Sequence, residues 1–158
     1  MIESLNINSG KVVGIKTSIF TIFNAEKYDA TAIPTAWGEF FRKAAGTELL
    51  NTDTYYGVSI PSMSMDAPMD YFAGALMDDS FEIPSGFESV SLPGGDYLTI
   101  EHVGPISNIA TSYQKAYMEV LPKSGKEMRP APHLEIYNSQ LDPMSADYKM
   151  LIAVPIQS

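Results

Sequence analysis

The chain has 158 residues, which suits one domain or two small fused halves that share a core. Its apolar fraction of 45% excludes a disordered chain, and no apolar run approaches the ~20 residues that span a bilayer. The absence of cysteine excludes disulfides, a thiolate nucleophile and a cysteine-based zinc site, and the net charge of -9 argues against direct binding to nucleic acid.

The first predicted elements are a strand and a helix. Residues 11–23, rich in Val, Ile, Thr and Phe, predict the strand. Residues 32–46 predict the helix, with Pro34 in its first turn and Gly46 at its end. One apolar stripe runs along this helix: Trp37, Phe40, Phe41 and Ala44.

Two strands are predicted next, over residues 54–60 and 69–77, joined by a hairpin loop of Pro, Ser and Asp residues. Gly57 and Gly74 lie inside these strands, where glycine packs poorly. Each glycine therefore predicts that another group approaches the backbone closely at that point.

The second half of the chain repeats this order of elements. Residues 89–92 and 96–103 predict strands on either side of the turn Pro93-Gly94-Gly95, 106–121 a helix, and 132–138 and 148–156 strands joined by a turn at Asp142-Pro143. The helix carries apolar residues at helical spacing: Ile106, Ile109, Tyr113, Ala116, Tyr117 and Val120.

Two repeats, over about 11–78 and 87–157, thus each read strand, helix, strand, strand. One half alone buries too little apolar surface to be stable. We therefore expect an α+β fold in one domain over residues 1–158. Its two pseudo-symmetric repeats form one curved antiparallel sheet, with the helices on one face and a ligand cleft on the other.

Alternation within residues 132–138 carries the functional interpretation. As a strand, it directs Leu134 and Ile136 to one face and His133, Glu135 and Tyr137 to the other. A carboxylate between an imidazole and a phenol indicates a receptor for a cation or a general acid/base group. The alternative is an exposed glutamate on the rim of a cleft.

Five short motifs and a closing segment together resemble a known family. They are Tyr55-Tyr56-Gly57, Asp70-Tyr71-Phe72-Ala73-Gly74, Pro93-Gly94-Gly95-Asp96-Tyr97, His102-Val103-Gly104-Pro105, Leu134-Glu135-Ile136-Tyr137 and the closing Ile152-Ala153-Val154-Pro155-Ile156. In this order they resemble GyrI-like small-molecule-binding domains, the effector-binding domains of AraC-type and MerR-type multidrug regulators, which also occur as stand-alone proteins. The resemblance spans about residues 11–156.

The resemblance implies a pocket between the two halves, with the family's acidic residue at Glu135. That residue would pair with aromatic cations, and Tyr71 and Trp37 match aromatic positions of the family. Some stand-alone members are described as hydrolases of strained cyclopropane electrophiles that use a pocket glutamate and tyrosine. Because no helix-turn-helix segment flanks this domain, direct transcriptional control is not expected.

Further aromatic residues are candidates for the walls of the pocket. With Trp37, the set is Tyr56, Tyr71, Tyr97 and Tyr137. Cation–π attraction contributes ~0.5–2 kcal/mol per ring, so several rings would hold a flat cation. The alternative is that these rings only pack in the core, above all Trp37 on the apolar stripe of its helix. Tyr55 and Tyr56 point to opposite faces of their strand, so one of the two is expected to serve packing alone.

Three functions therefore follow from the sequence. The first is a cytoplasmic protein that binds an aromatic or cationic drug-like molecule with Glu135 as its counter-charge. The second is a hydrolase in which Glu135 activates water and Tyr71 donates a proton. The third is an inhibitor that binds a protein partner, such as a gyrase-like enzyme, through its acidic surface. No metal is expected, because His102 and His133 on separate strands are a weak basis for a metal site. No membrane contact and no cofactor are expected either.

Overall fold

The computed structural model describes residues 2–21, 23–61, 64, 66–138 and 144–157. The predicted turn at Asp142-Pro143 and part of the predicted loop over 61–68 lie outside these residues. The remaining predicted elements fall within the described part of the chain.

In the described part of the chain, eight strands form one antiparallel sheet. They are β1 (Ile2–Ile7), β2 (Gly10–Ile19), β3 (Tyr55–Ile60), β4 (Met69–Met77), β5 (Glu88–Leu92), β6 (Gly95–Val103), β7 (His133–Tyr137) and β8 (Lys149–Pro155). Their order across the sheet is β1-β6-β8-β7-β3-β4-β2-β5. The predicted α+β class and the single curved antiparallel sheet are confirmed.

The helices occupy the two predicted positions. They are α1 (Ala32–Ala44), α2 (Ile109–Lys115), a π-helical turn (Ala116–Val120) and α3 (Leu121–Ser124), with short 3₁₀ turns at Ile106–Asn108 and Glu48–Leu50. The π-helical turn precedes Pro122, which has no N–H to donate to the carbonyl of Met118, so the ordinary α-helical bond cannot form there. Within the described residues, no helix has the length and apolarity needed to cross a membrane.

The strand order has two-fold symmetry about the β3–β7 pair. Outward from that centre lie β4 and β8, then β2 and β6, so each repeat supplies three strands in the same order. The outermost strands are exchanged between the repeats, because β1 pairs with β6 while β5 pairs with β2. The predicted strand-helix-strand-strand repeat is confirmed.

Two predictions near the N-terminus were wrong. The first strand was predicted to begin at Lys11, whereas an earlier strand, β1 (Ile2–Ile7), already pairs with β6. The sequence of β1 has no regular alternation of apolar and polar residues and therefore does not indicate a strand. β1 extends the sheet by pairing with β6. The strand predicted to reach Phe23 ends at Ile19, and Phe23 instead packs edge-on against the Tyr117 ring.

Both helices cover the same face of the sheet, as predicted. α1 packs Ala36, Phe40 and Ala44 against β2 and β4, and the second helical segment packs Ala116 and Val120 against β6 and β8. The opposite face curls around its own core. Residues of the two outermost strands, Ile7 and Leu92, lie in that core with side chains of the central strands β3 and β7. β3 and β7 therefore lie beneath the space between the two helical layers.

Candidate functional site

Strand β7 directs the Glu135 carboxylate toward the helices. Leu134 and Ile136 lie in the core of the curled face, as the alternation predicted, and Glu135 lies on the other side. The ligand cleft was predicted on the face away from the helices. The Glu135 carboxylate lies instead on the helix face, as shown by the hydrogen bond that it accepts from the Tyr113 hydroxyl of α2.

Three phenols surround the carboxylate, which is buried with 3% of its surface exposed. Oε1 accepts hydrogen bonds from the hydroxyls of Tyr71 at 2.7 Å and Tyr137 at 2.6 Å, and Oε2 accepts one from Tyr113. The carboxylate has about four lone-pair sites, so these bonds leave capacity on Oε2. From the sequence, Tyr113 was predicted only as part of the apolar stripe of its helix.

Trp37 extends the cluster from the opposite helix. Its indole N–H donates a hydrogen bond of 2.9 Å to the Tyr71 hydroxyl, which in turn donates to Glu135. The Trp37 ring also meets the Tyr137 ring edge-on, with centroids 5.0 Å apart. The structure therefore brings Trp37, Tyr71, Tyr137 and Glu135 together, and Trp37 is also packed against the core beneath α1.

Gly57 makes room for this contact. It pairs with Glu135 across β3 and β7, and a Cβ on it would lie 2.7 Å from Glu135 Oε1 and 2.9 Å from the Tyr71 ring. Gly74 faces the backbone of Gly14 on β2, where a Cβ would lie 2.9 Å from the Gly14 Cα. The prediction that a group approaches each strand glycine closely is confirmed.

Burial and the negative charge of Glu135 together keep the phenols protonated. Burial, and then the Glu135 charge, hold the pKa of Tyr71, Tyr113 and Tyr137 well above the ordinary value. The same two causes raise the pKa of Tyr148 to about 12. Each phenol therefore remains a hydrogen-bond donor to the carboxylate at neutral pH.

No cation pairs with Glu135 among the described residues. The ion pairs in that part of the chain join Lys16 with Asp70 and Lys43 with Glu39, all with partly exposed side chains. A buried carboxylate is costly to desolvate, and hydrogen bonds from phenols offset that cost only in part. A positively charged ligand would supply the missing charge.

His133 and Tyr117 form a second polar pair beside the carboxylate. The Tyr117 hydroxyl shares a hydrogen bond with Nδ1 of His133, and their rings stack with centroids 5.7 Å apart. Tyr117 also stacks on Tyr113, with centroids 6.2 Å apart. Burial lowers the pKa of His133 to about 4, so its ring is neutral at pH 7. The sequence signal for Tyr117 was its position four residues after Tyr113, on the same side of the helix.

The structure does not bring Tyr56 and Tyr97 to Glu135. Tyr56 is paired with Ile136, and paired residues share a face, so it lies on the curled face. Tyr97 lies in the same core, donates a hydrogen bond of 3.0 Å to the Pro132 carbonyl and packs under the Arg129 guanidinium. Both residues contribute to packing on the opposite side of the sheet.

The other histidine has a structural role. His102 is buried, with Nδ1 2.6 Å from the Ser112 hydroxyl and Nε2 within reach of the carbonyls of Gly104 and Pro105. These bonds tie the end of β6 to the start of α2. Across the described ranges, no three His, Asp or Glu side chains are grouped so as to hold a metal ion.

Comparison with solved structures shows the same fold in several proteins. SAV2435, solved with tetraphenylphosphonium bound, superposes at a TM-score of 0.75 with 19% identity, over 100% of this chain and 94% of that one. The EcmrR C-terminal domain gives 0.69 and 16%, over 100% and 98%. A hydrolase from Listeria innocua gives 0.57 and 13%, over 99% and 91%. At these identities the likeness shows the fold alone.

Comparison of sequences identifies the family. The transcriptional regulator BrlR of Pseudomonas aeruginosa is 25% identical over 87 residues, which is 54% of this chain and 32% of that relative. The alignment therefore spans about a third of the length of BrlR. The family described as the GyrI-like small molecule binding domain matches residues 3–157. The chain belongs to the GyrI-like small-molecule-binding family.

Proposed function

We propose that the protein binds an aromatic organic cation on the helix face, with Glu135 as the counter-charge. The observation that carries the proposal is the buried Glu135 carboxylate, held by three phenols and paired with no cation among the described residues. Tyr71, Tyr137 and Trp37 form the aromatic walls, and Tyr113 joins them from α2.

The physical basis is charge compensation in an aromatic setting. A cation near Glu135 is attracted to the carboxylate, and this attraction is stronger in the weakly polar interior than in water. The cation is also attracted to the negative faces of the aromatic rings. The phenol hydroxyls can rotate to other hydrogen-bond acceptors when the ligand occupies a lone-pair site of the carboxylate. An aromatic cation therefore gains from both features, whereas a neutral aromatic molecule gains only from the second.

The comparisons support this class of ligand. The family is defined as one of small-molecule binding, and SAV2435 was solved with tetraphenylphosphonium, an aromatic cation. BrlR is a transcriptional regulator, and EcmrR was solved in complex with DNA. On our proposal, ligand binding at Glu135 is the input of a regulatory or protective protein located in the cytoplasm.

The test compares wild type with Glu135→Gln, which keeps the shape of the side chain and removes its charge. Trp37 is the single tryptophan and lies in the cluster, so its fluorescence reports binding without a label. We expect the variant to bind tetraphenylphosphonium at least about tenfold more weakly, while the affinity for neutral triphenylphosphine oxide changes little. Equal affinities of the two proteins for the cation would contradict the proposal.

A hydrolase is the second candidate, and the distance between Glu135 and Tyr71 favours it. The Tyr71 hydroxyl lies 2.7 Å from the carboxylate, within the reach required of a general acid beside a general base. In that reaction Glu135 would take a proton from water while the water oxygen bonds to one ring carbon and a strained C–C bond breaks. Tyr71 would protonate the carbon released from that bond and regain its proton from Glu135.

Turnover of a strained cyclopropane electrophile tests the enzyme directly. Turnover by wild type that is lost in both Glu135→Gln and Tyr71→Phe would support the hydrolase. If wild type binds tetraphenylphosphonium and does not consume the electrophile, the binding function stands alone.

A further inference from the structure

The two-fold relation between the repeats pairs residues on either side of Glu135. In the β3–β7 register, Gly57 pairs with Glu135, while Tyr55 pairs with Tyr137 and Ser59 with His133. Tyr55 and His133 therefore occupy equivalent positions, each two residues before the central pair. The helices match in the same way, since Trp37 and Phe41 follow Ile33 at intervals of four, as Tyr113 and Tyr117 follow Ile109.

The flank formed by the first repeat is apolar. Phe41 meets Tyr55 with ring centroids 5.1 Å apart and Trp37 at 5.9 Å, and 42% of Phe41 is exposed. The Tyr55 hydroxyl donates to the Thr52 carbonyl at 3.1 Å, so its hydrogen-bonding capacity is turned to the backbone. This flank offers ring surface to a ligand.

The flank formed by the second repeat carries polar groups at the equivalent positions. Tyr117 stands where the first repeat has Phe41, and His133 stands where it has Tyr55. Nδ1 of His133 is occupied by Tyr117, whereas Nε2 makes no hydrogen bond with any residue in the described part of the chain. No fully enclosed side-chain nitrogen or oxygen in that part lacks a hydrogen-bond partner, so Nε2 borders space that a water molecule can enter.

His102 provides the contrast that gives this observation meaning. Both of its ring nitrogens are bonded to protein groups, as expected of a histidine that only supports the fold. His133 shares the face of Glu135, two residues away on the same strand, and keeps one ring nitrogen open. A fixed ring with one open nitrogen is a positioned hydrogen-bonding group.

We propose that Nε2 of His133 hydrogen-bonds a polar substituent of the ligand and determines its specificity. The ligand is then an aromatic cation with two unequal arms, an aryl arm toward Phe41 and Tyr55 and a hydrogen-bonding arm toward His133. This inference rests on the proposed function, because it assumes that the cationic centre lies at Glu135. Burial lowers the pKa of His133 to about 4, which keeps the ring from repelling the cation.

The experiment measures a preference between two probes of equal charge. Tetraphenylphosphonium and its derivative with one para-hydroxymethyl group, whose hydroxyl does not ionise near neutral pH, are titrated against wild type and His133→Phe, followed by Trp37 fluorescence. The phenylalanine keeps a ring in the stack and removes both nitrogens. We expect wild type to prefer the hydroxymethyl derivative by about three- to tenfold relative to His133→Phe, since one net hydrogen bond has that effect.

Two further variants make the result specific. Tyr56→Phe removes a hydroxyl on the opposite face and should leave the preference unchanged. His133→Leu also lacks hydrogen-bonding atoms and replaces His133→Phe if the larger ring prevents folding. A preference that persists in the variant lacking both nitrogens, or that is absent from wild type, would overturn the inference.

The outcomes separate this inference from the proposed function. If both probes bind in a Glu135-dependent manner with equal affinity, the function stands and the role of His133 is wrong. If neither probe binds wild type, or if Glu135→Gln binds both as well as wild type does, the proposed function fails and this inference fails with it.

Discussion

At the scale of single residues, burial shifts the pKa values of the tyrosines and of the histidine in the cluster in opposite directions. Glu135 is kept in place by phenols whose pKa is raised, so they remain donors at neutral pH. His133 remains neutral because burial lowers its pKa to about 4. The same desolvation therefore yields firm donors and an uncharged ring within one cluster.

The lowered pKa of His133 predicts a loss of stability in acid. Below the ordinary value of 6.5 the unfolded chain takes up a proton that the folded chain refuses, so the free energy of unfolding falls as pH decreases. The loss is complete near pH 4 and amounts to at most about 3 kcal/mol. Urea unfolding followed by Trp37 fluorescence measures it.

The matched control is His133→Phe, which cannot take up this proton. We expect its stability to change less than that of wild type between about pH 6.5 and pH 4. Asp29 and Asp78, whose pKa is lowered by hydrogen bonds from Thr31 and Ser80, lose their contribution only below the ordinary value of 3.8. Parallel pH profiles of the two proteins would exclude His133 as the cause.

At the scale of elements, the same residue type has opposite uses in a strand and in a helix. Gly57 lies in β3, where tertiary neighbours occupy the place of a side chain. Gly38 lies in α1, where a Cβ would have no atom within 4 Å. Intrinsic helix propensity therefore acts alone at Gly38, and packing dominates at Gly57.

Alanine at these two positions should change stability in opposite directions. Gly57→Ala places a methyl group against Glu135 and Tyr71, and we expect the free energy of unfolding to fall by about 1–3 kcal/mol. Gly38→Ala should raise it by up to about 1 kcal/mol, because alanine restricts the unfolded chain and favours the helix. Denaturant unfolding of both variants checks the signs, and two changes of the same sign would contradict this account.

At the scale of the whole molecule, the exchange of outer strands makes the two repeats depend on each other. β1 precedes β2 in the chain and pairs with β6 of the second repeat, while β5 precedes β6 and pairs with β2 of the first repeat. Ile7 of β1 and Leu92 of β5 also lie in one core with both central strands. Neither repeat therefore completes its sheet or its core alone.

Separate fragments should show this dependence. We expect residues 1–86 and 87–158, each alone, to lack a cooperative unfolding transition, and their mixture to regain one. Each fragment has four strands, but its outermost strand, β1 or β5, lacks its partner, and the remaining three strands and a helix bury too little surface. Circular dichroism follows each fragment and the mixture, and Trp37 fluorescence follows residues 1–86 alone and in the mixture. A cooperative transition in either fragment alone would show that one repeat is a stable unit.

The sequence by itself determined the properties that depend on local periodicity. A strand directs alternate side chains to opposite faces, so alternation alone separates Leu134 and Ile136 from Glu135. A helix repeats every 3.6 residues, which made the stripe of α1 visible. Glycines inside strands indicated close approaches of other groups to the backbone, because glycine otherwise weakens a strand.

Only the tertiary structure decided which of these side chains meet. Glu135 and Tyr71 are 64 positions apart in the chain, and the β3–β4 and β3–β7 registers bring them together. Those registers also placed Tyr56 on the curled face, and the pairing of β6 with β8 placed Tyr97 there. Periodicity along one element gives the direction of a side chain. Contact depends on how distant elements pair, and no local pattern contains that information.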